Sequence, residues 1–162
     1  MGHSLTGSLY HCAFSTKERH PCVTADLQSR LWPFLGGIAR DNDMRALSVG
    51  GVEDHVHILL SLPSTMAIAK AIQLLKGGSS LWVHKTFPAQ SGFAWQEGYG
   101  AFSVGVSQVE RTKRYIESQA KRHRKITFQE KFLAFLKNTT WRTTSVTSGD
   151  ENEGSIVPPG LR

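Results

Sequence analysis

The chain reads MRALSVGGVEDHVHILLSL from Met44 to Leu62. The apolar and β-branched residues of this segment predict one strand over Met44–Val52 and another over His55–Leu62. Because the two strands are so close in sequence, we expect them to pair as an antiparallel hairpin. Side chains alternate between the two faces of a strand, so the even-numbered apolar residues of the second strand should pack beneath helices. His55 and His57 then lie together on the opposite face.

The flanking sequence supplies the other elements of an α+β fold. Apolar periodicity and turn residues predict them in this order: a strand over Leu5–Lys17, a helix capped by Thr24 and ending near Arg40, a helix over Met66–Thr86, a strand over Tyr99–Val106, a helix capped by Ser107 and ending near His123, and a short helix over Phe128–Lys137. Pro33 should kink or split the first helix, and Gly77-Gly78 should loosen or kink the second. The order predicts a ferredoxin-like split βαβ fold with an antiparallel sheet and additional C-terminal helices. Helices cover one face of such a sheet, and we expect the other face to stay open for function.

Length and charge indicate a single basic domain. The chain has 162 residues, enough for one compact domain, which we place at residues 1–138. Residues 139–162 are rich in Ser, Thr, Gly, Glu and Pro, which predicts a disordered tail. The 19 Lys and Arg residues outnumber the 13 Asp and Glu residues and give a formal net charge of +6. A charge of this sign favours a polyanionic partner such as nucleic acid, although a plain basic surface also fits it.

Composition also argues against several classes of protein. The two cysteines are too few for a zinc site built on cysteine pairs or for a disulfide framework, and a reducing compartment suits them. We identify no secretory signal, and the longest apolar run, residues 56–62, is far too short to span a membrane. We therefore expect a cytoplasmic protein without membrane contact.

His55 and His57 are the first candidates for chemistry. Two imidazoles on one face of a strand are close enough to share one cation, and neutral imidazole nitrogens are competent ligands. Asp54 or Glu53 is placed to orient one of the rings. A pair of hydrogen-bonded histidines without metal fits the spacing equally well. Histidine-triad nucleotide hydrolases carry a similar His-hydrophobic-His run, but they need a third histidine where this chain has Leu59.

Tyr115 and Gln119 are four residues apart on the predicted C-terminal helix, so they share one face, which continues through Arg111 and Arg122. A phenol beside guanidinium groups suits attack on a phosphodiester, with the phenol oxygen as nucleophile and the cations stabilising charge on the phosphoryl oxygens. The amide oxygen of Gln119 can complete a metal site begun by two histidines. Most tyrosines on basic helices are packing or surface residues, so this interpretation depends on the combination with the histidine pair.

The combination resembles the single-tyrosine HUH transposases, which include the IS200-like and the REP-associated tyrosine transposases. The resemblance runs from about Leu5 to Asn138. It rests on five blocks that occur in the family's order: Tyr10-His11, Gly51–Leu59 (GVEDHVHIL), Leu75–Ser80 (LKGGSS), Trp95–Val104 (WQEGYGAFSV) and Tyr115–Gln119 (YIESQ).

This resemblance implies a set of catalytic roles. His55 and His57 would be the metal ligands with Gln119 as the third, and the metal would be Mg²⁺ or Mn²⁺ acting as a Lewis acid on the scissile phosphate. By ligand type alone the same set could hold zinc, so the metal identity comes from the resemblance. Tyr115 would form a covalent 5′-phosphotyrosine and leave a free 3′-hydroxyl. Rejoining would be the reverse attack, which needs no nucleotide cofactor.

The resemblance also implies partners. Members of the family work as homodimers, often with the tyrosine helix of one subunit on the histidines of the other, and act on single-stranded DNA with hairpin ends. Candidate contacts to the DNA backbone, which could equally be a solvated helix face, are Lys76, Arg111, Lys113, Arg114, Lys121, Arg122, Arg124 and Lys125. Three aromatic residues either stack bases or belong to the core: Trp95, Tyr99 and Phe102. A domesticated host protein and a hairpin-binding protein that does not cut remain alternatives, and the sequence does not decide whether the tyrosine acts in cis or in trans.

Overall fold

Four strands and three helices make up the part of the chain that this computed structural model describes, residues 5–121 and Ala134. In chain order they are β1 (Ser8–Ser15), α1 (Ala25–Asp41), β2 (Arg45–Val52), β3 (His55–Leu62), α2 (Ile68–Thr86), β4 (Gly100–Ser103) and α3 (Val109–Glu117). The sheet has the order β2-β3-β1-β4, and every neighbouring pair is antiparallel. The predicted ferredoxin-like split βαβ fold and the hairpin of β2 with β3 are therefore confirmed.

Helices α1 and α2 cover the face of the sheet that carries the even-numbered residues of β3. Val56, Ile58 and Leu60 are fully buried there together with Phe14 of β1. Burial of these apolar side chains is the main contribution to the stability of the fold. Each fully buried large side chain contributes roughly 1.5–3 kcal/mol. The alternation seen in the sequence thus fixes which face of β3 packs under helices.

Helix α1 begins after Thr24, whose hydroxyl oxygen accepts a hydrogen bond from the backbone N–H of Leu27 at 3.3 Å. The expected split at Pro33 is wrong, because α1 runs without interruption through this residue, and the alternative of a kink stays a prediction. Pro33 lies on the exposed side of the helix, between Leu31 and Leu35, which are both fully buried. Core packing on either side holds the helix together despite the missing backbone donor.

Helix α2 is likewise continuous through Gly77 and Gly78, and the loosening or kink expected at these glycines stays a prediction. A Cβ added at Gly78 would lie 3.0 Å from the Cδ1 atom of Ile38 on α1. Gly78 therefore allows α1 and α2 to approach each other closely, and its role is packing. Among the described residues, no helix is both long and apolar enough to cross a membrane.

The second face of the sheet is not open, contrary to expectation, because α3 lies across it. Leu59 of β3 packs there against Tyr115 and Ile116 of α3. Helix α3 is shorter than predicted: Ser107 belongs to a preceding 3-10 turn instead of capping the helix, and a second 3-10 turn follows at Gln119–Lys121. Strand β4 is also shorter than predicted. The predicted helix over residues 128–137, the tail over residues 139–162 and the end of the domain at residue 138 lie outside the described residues, apart from Ala134.

The close approach of α3 to the sheet requires a glycine at position 50. A Cβ at Gly50 would lie 2.6 Å from the carbonyl oxygen of Ile116, which is far inside van der Waals contact. Since that atom is backbone, the whole helix would have to move away from β2.

We expect Gly50→Ala to lower the free energy of unfolding by about 1–3 kcal/mol, the usual cost of overpacking. Urea unfolding followed by circular dichroism measures the change. Gly105→Ala is the matched control, because Gly105 lies just before α3 and a Cβ there would meet nothing within 4 Å. Equal stability of the two variants would contradict the argument.

Candidate active site

Four aromatic rings meet beneath α3, and three of them belong to residues predicted from the sequence. The ring centroids of His55 and His57 are 5.2 Å apart, and the Tyr115 ring lies 5.5 Å from that of His57. The fourth ring is His11 of β1, at 5.1 Å from His57 and 5.7 Å from Tyr115. The four rings come from three elements of the fold: His11 from β1, His55 and His57 from β3, and Tyr115 from α3.

Strand register explains how the cluster forms. In the antiparallel pairing of β1 with β3, Ser15 lies opposite His55, Ala13 opposite His57 and His11 opposite Leu59. These residues share one face of the sheet because partners across a ladder point the same way. The small side chain of Ala13 leaves room for the ring of His11 to reach diagonally to His57.

His55 is held by an acidic residue that is itself held by an arginine. Its Nδ1 atom lies 2.6 Å from Asp54 Oδ1, while Asp54 Oδ2 accepts hydrogen bonds from Arg19 Nε at 3.2 Å and Arg19 Nη2 at 3.1 Å. Burial raises the pKa of Asp54, but its interactions with His55 and Arg19 outweigh this effect and bring the pKa below its usual value. The carboxylate can then only accept, so the proton of the His55–Asp54 hydrogen bond comes from Nδ1. Nε2 of His55 is left as the atom able to bind a metal ion.

The segment that carries Arg19 has an unusual backbone. Glu18 and Arg19 both have a φ of 55°, in the left-handed region that residues other than glycine rarely adopt. The conformation is fixed by hydrogen bonds from the backbone N–H of Glu18 to the side chain of Gln96 and from that of Arg19 to the carbonyl of Thr16. Backbone strain of this kind is often found near functional sites, and here it delivers the guanidinium to Asp54.

His57 makes the corresponding contact with a second histidine. Its Nδ1 lies 2.9 Å from Nε2 of His11, and both rings are buried almost completely. Burial lowers the pKa of His11 to about 3 and holds the pKa of His57 well below its usual value, with a smaller contribution from the neighbouring histidines. Both imidazoles are therefore neutral, which is the form that coordinates metals.

His11 belongs to the Tyr10-His11 block of the family resemblance, but the sequence predicted no role for it in the site. Alternation placed it on the correct face of β1, but alternation says nothing about which residue of another strand it meets. Only the pairing register brings His11 next to His57, 46 residues further along the chain.

Tyr115 and Gln119 form the buried underside of α3 and of the turn that follows it, together with Thr112 and Ile116. Tyr115 meets the ring of His57 edge to face at 88° and that of His11 at 70°. Gln119 Nε2 donates to the Tyr115 carbonyl oxygen at 3.0 Å, which leaves the amide Oε1 as the atom that can serve a metal ion. The role of Gln119 as third ligand stays a prediction.

The donor atoms fit a divalent metal ion. Nδ1 of His55 contacts Asp54 and Nδ1 of His57 contacts His11, so Nε2 would be the ligand atom of both rings. These Nε2 atoms and the Tyr115 hydroxyl are shielded from solvent. In residues 5–121, no group of three or more His, Cys, Asp or Glu side chains is placed to hold a metal. Among the described residues, an amide oxygen such as that of Gln119 is suitable as a third ligand.

Leu59 bears on the nucleotide-hydrolase alternative. The third histidine of that class would stand here, but Leu59 is fully buried against Tyr115 and Ile116. The position is used for packing α3 onto the sheet, which makes histidine-triad chemistry a poor fit.

The predicted basic contacts fall into three groups. Lys76 lies on the helix-covered side of the sheet, over the ring of Phe14, and its ammonium donates to the carbonyl oxygens of Gln96, at 2.7 Å, and Gly98. On α3, Arg111 and Lys113 are half-buried, and Lys113 Nζ lies 3.5 Å from Glu110 Oε1. Arg114 on α3 and Lys121 in the turn after it are exposed. Three of the candidates lie outside the described residues: Arg122, Arg124 and Lys125.

Lys76 thus connects α2 to the loop before β4 on the side away from the histidines. Burial lowers its pKa, and the charge of Glu97 offsets part of this effect. We expect Lys76→Met to reduce the free energy of unfolding by about 1–3 kcal/mol, because two carbonyl acceptors lose a charged donor. Thermal unfolding compares it with Lys70→Met, which removes an exposed lysine from the same helix. Two variants of equal stability would show that the loop contact contributes nothing.

Trp95 is a core residue. Its indole N–H donates to Ser79 Oγ at 2.9 Å, and its ring packs edge to face on Phe14 at 4.8 Å and on Phe93 at 4.9 Å. Tyr99 also packs against the core, whereas Phe102 is half-buried on β4. Of the three aromatic residues considered for base stacking, Trp95 is therefore a poor candidate, because its ring packs in the core.

The sequence of this chain is similar to those of known transposases. The family model described as "Transposase IS200 like" matches residues 4–119. ISDra2 transposase TnpA of Deinococcus radiodurans is 29% identical over 115 residues, covering 68% of this chain and 82% of that protein. The transposase for insertion sequence element IS200 of Salmonella typhimurium is 25% identical over 124 residues, covering 74% of this chain and 81% of that protein.

Two solved structures are similar in fold. A crystal structure of a protein assigned as a transposase in Deinococcus radiodurans R1 matches with a TM-score of 0.61 and 26% identity, covering 74% of this chain and 96% of that chain. A REP-associated tyrosine transposase bound to a REP hairpin matches with a TM-score of 0.57, covering 76% of this chain and 72% of that one. Its identity is 12%, so this second likeness concerns the fold.

Proposed function

Because this chain belongs to the family of IS200-like transposases, we propose that it cleaves and rejoins single-stranded DNA at hairpin-containing ends through a covalent 5′-phosphotyrosine on Tyr115. The observation that carries the proposal is the position of the Tyr115 ring, 5.5 Å from that of His57 and inside a buried cluster of three histidines. A nucleophile beside a candidate metal site is an arrangement suited to metal-assisted phosphodiester cleavage.

The reaction begins with attack of the Tyr115 oxygen on the phosphorus of a phosphodiester. The phenol gives up its proton to water, a bond forms between the tyrosine oxygen and phosphorus, and the bond from phosphorus to the 3′-oxygen breaks. The leaving 3′-oxygen takes up a proton from water and becomes a hydroxyl, so the step has no net change in protons. The phosphotyrosine keeps the energy of the broken ester, so another 3′-hydroxyl can attack it and restore the DNA without a nucleotide cofactor.

Three side chains would hold the divalent ion: His55 and His57 through Nε2 and Gln119 through Oε1. The resemblance favours Mg²⁺ or Mn²⁺, and when bound such an ion would act as a Lewis acid on the phosphate oxygens. The protein's own contribution is orientation, because Asp54 fixes the ring of His55 and His11 contacts the ring of His57. Burial of the cluster limits the access of water, which would compete with a 3′-hydroxyl for the phosphotyrosine.

The DNA partner is proposed from the likeness to a REP-associated tyrosine transposase that was solved with a REP hairpin. Arg114 and Lys121 are the exposed basic residues closest in sequence to Tyr115, and they are suited to contact the DNA backbone. We also propose a homodimer that acts in the cytoplasm, by resemblance to the family.

Mass spectrometry of a trapped adduct tests the proposal directly. Purified protein would be incubated with single-stranded oligonucleotides from the flanks of its gene, in Mg²⁺ or Mn²⁺, and then digested with nuclease and protease. We expect a peptide containing Tyr115 with a 5′-linked nucleotide on the phenol oxygen. Tight hairpin binding with no adduct on any flanking sequence would favour a DNA-binding protein that does not cut. Release of mononucleotides without an adduct would revive nucleotide hydrolysis.

Asp54 gives a further prediction for the metal site. Removing its carboxylate by Asp54→Ala frees the ring of His55, and loss of such an orienting group usually weakens metal binding by about 10–100-fold. Isothermal titration with Mn²⁺ measures the affinity, and Asp26→Ala, an exposed position in the first turn of α1, controls for the change in charge. Unchanged Mn²⁺ affinity in Asp54→Ala would remove Asp54 from the site.

A further inference from the structure

His11 contacts both a candidate metal ligand and the candidate nucleophile. Its Nε2 lies 2.9 Å from Nδ1 of His57, and its ring meets that of Tyr115 at 5.7 Å. It is 1% exposed and lies on β1, a central strand of the sheet, so its position is fixed by the fold. A buried polar side chain in such a place is costly unless its hydrogen bonds are satisfied, and the contact with His57 satisfies one of them.

The contact between His11 and His57 has two possible proton arrangements. A neutral imidazole carries its proton on one nitrogen and accepts on the other, so one of the two facing nitrogens must donate. If His57 Nδ1 donates, His57 Nε2 is unprotonated and can bind a metal ion through its lone pair. If His11 Nε2 donates, the proton of His57 is on Nε2 and coordination through that atom is blocked.

We infer that His11 is a positioning residue that accepts a hydrogen bond from His57 Nδ1, holds His57 in the tautomer that can coordinate through Nε2, and fixes the orientation of the Tyr115 ring. The inference rests on the proposed function, because the tautomer matters only if His57 serves a metal ion. His11 does for His57 what Asp54 does for His55, so both ligands of the pair are oriented through Nδ1. Groups that orient a metal-binding histidine in this way are common in metal sites.

Two substitutions separate the two parts of this role. His11→Phe keeps a ring next to Tyr115 but removes the acceptor for His57. His11→Gln removes the ring but keeps an acceptor, since the Oε1 atom of glutamine reaches about as far from the backbone as Nε2 of histidine. His84→Gln on α2 is the control for loss of a histidine, because His84 is exposed and its side chain contacts the carbonyl of Phe93 away from the site.

The test combines NMR of the metal-free protein with Mn²⁺ titration. In wild type, ¹⁵N spectra of the histidine rings should show His57 protonated on Nδ1 and unprotonated on Nε2. In His11→Phe we expect this tautomer to lose population and the Mn²⁺ affinity to fall by about 10–100-fold. His11→Gln should bind Mn²⁺ within a few-fold of wild type but form the DNA adduct more slowly, because the Tyr115 ring has lost its neighbour.

Failure of the inference and failure of the proposed function give different results. If wild type binds Mn²⁺ and forms the adduct, but His11→Phe matches it in tautomer and in affinity, only the role of His11 is wrong. If wild type neither binds Mn²⁺ nor forms an adduct, the proposed function itself is wrong. A wild-type spectrum with His57 protonated on Nε2 would overturn the inference even if no variant folds.

Discussion

Replacing Tyr115 by phenylalanine should abolish the covalent protein–DNA adduct while leaving the fold and hairpin binding intact. The substitution removes one oxygen atom and keeps the ring that packs on His57, His11 and Leu59. The packing contribution to stability is therefore preserved, and we expect the free energy of unfolding to change by less than about 1 kcal/mol. The nucleophile is lost completely, which for covalent catalysis reduces the rate by a factor on the order of 10⁴ or more.

A denaturing gel with labelled single-stranded oligonucleotides measures this effect. Wild type should give a slow, metal-dependent band in which the label stays attached to protein, and Tyr115→Phe should give none while still shifting the same hairpin in a native gel. Tyr10→Phe is the matched control, because Tyr10 lies on the opposite face of β1 from His11 and packs against the core. An adduct formed at the normal rate by Tyr115→Phe would mean that another residue is the nucleophile.

The parts of the fold that follow from local rules could be predicted from the sequence. The alternation in β3 assigns Val56 and Ile58 to the core and His57 to the opposite face, and the structure agrees. Helix continuity could not be read in the same way. Pro33 and Gly77 are unfavourable inside an isolated helix, yet burial of the residues around them against the sheet overrides this local preference.

The composition of the site depends on contacts between distant segments, and this limits what sequence can reveal. The sequence indicated His55, His57 and Tyr115 because these residues belong to two short motifs, His-x-His and Tyr-x-x-x-Gln. His11 reaches the site because β1 pairs with β3. Arg19 reaches it through a turn with positive φ, which no local sequence pattern predicts. The burial of the four rings could not be predicted from the sequence either, because it depends on where α3 packs on the sheet.

Lys76 shows the opposite limitation. A basic residue in a protein that acts on DNA is an obvious candidate for a phosphate contact, and sequence offers no way to see that its ammonium is already bonded to the carbonyls of Gln96 and Gly98. Charge is a property of the whole surface, whereas the role of one lysine depends on what lies within reach of its nitrogen.

Loss of His57, or removal of the metal ion, should have the second largest effect on cleavage. Lewis-acid stabilisation of a phosphoryl group contributes several kcal/mol, which corresponds to roughly 10³-fold in rate. We expect EDTA to abolish adduct formation by wild type and an excess of Mn²⁺ to restore it. His57→Ala should stay inactive at Mn²⁺ concentrations that saturate wild type, because the site has lost a proposed ligand and His11 has lost the ring that it contacts.

The interpretation of His57→Ala depends on separating loss of metal from loss of structure. His57 is fully buried beneath α3, so removing its ring leaves a cavity, and some loss of stability accompanies the loss of the ligand. Chelation of wild type changes no side chain and therefore isolates the contribution of the metal. If EDTA leaves adduct formation unchanged while His57→Ala is inactive, the histidine supports α3 and Tyr115 by packing, and the reaction does not use a metal ion. If both treatments stop the reaction and Mg²⁺ or Mn²⁺, but not Zn²⁺, reverses chelation, the histidine pair is the binding site of a hard divalent ion.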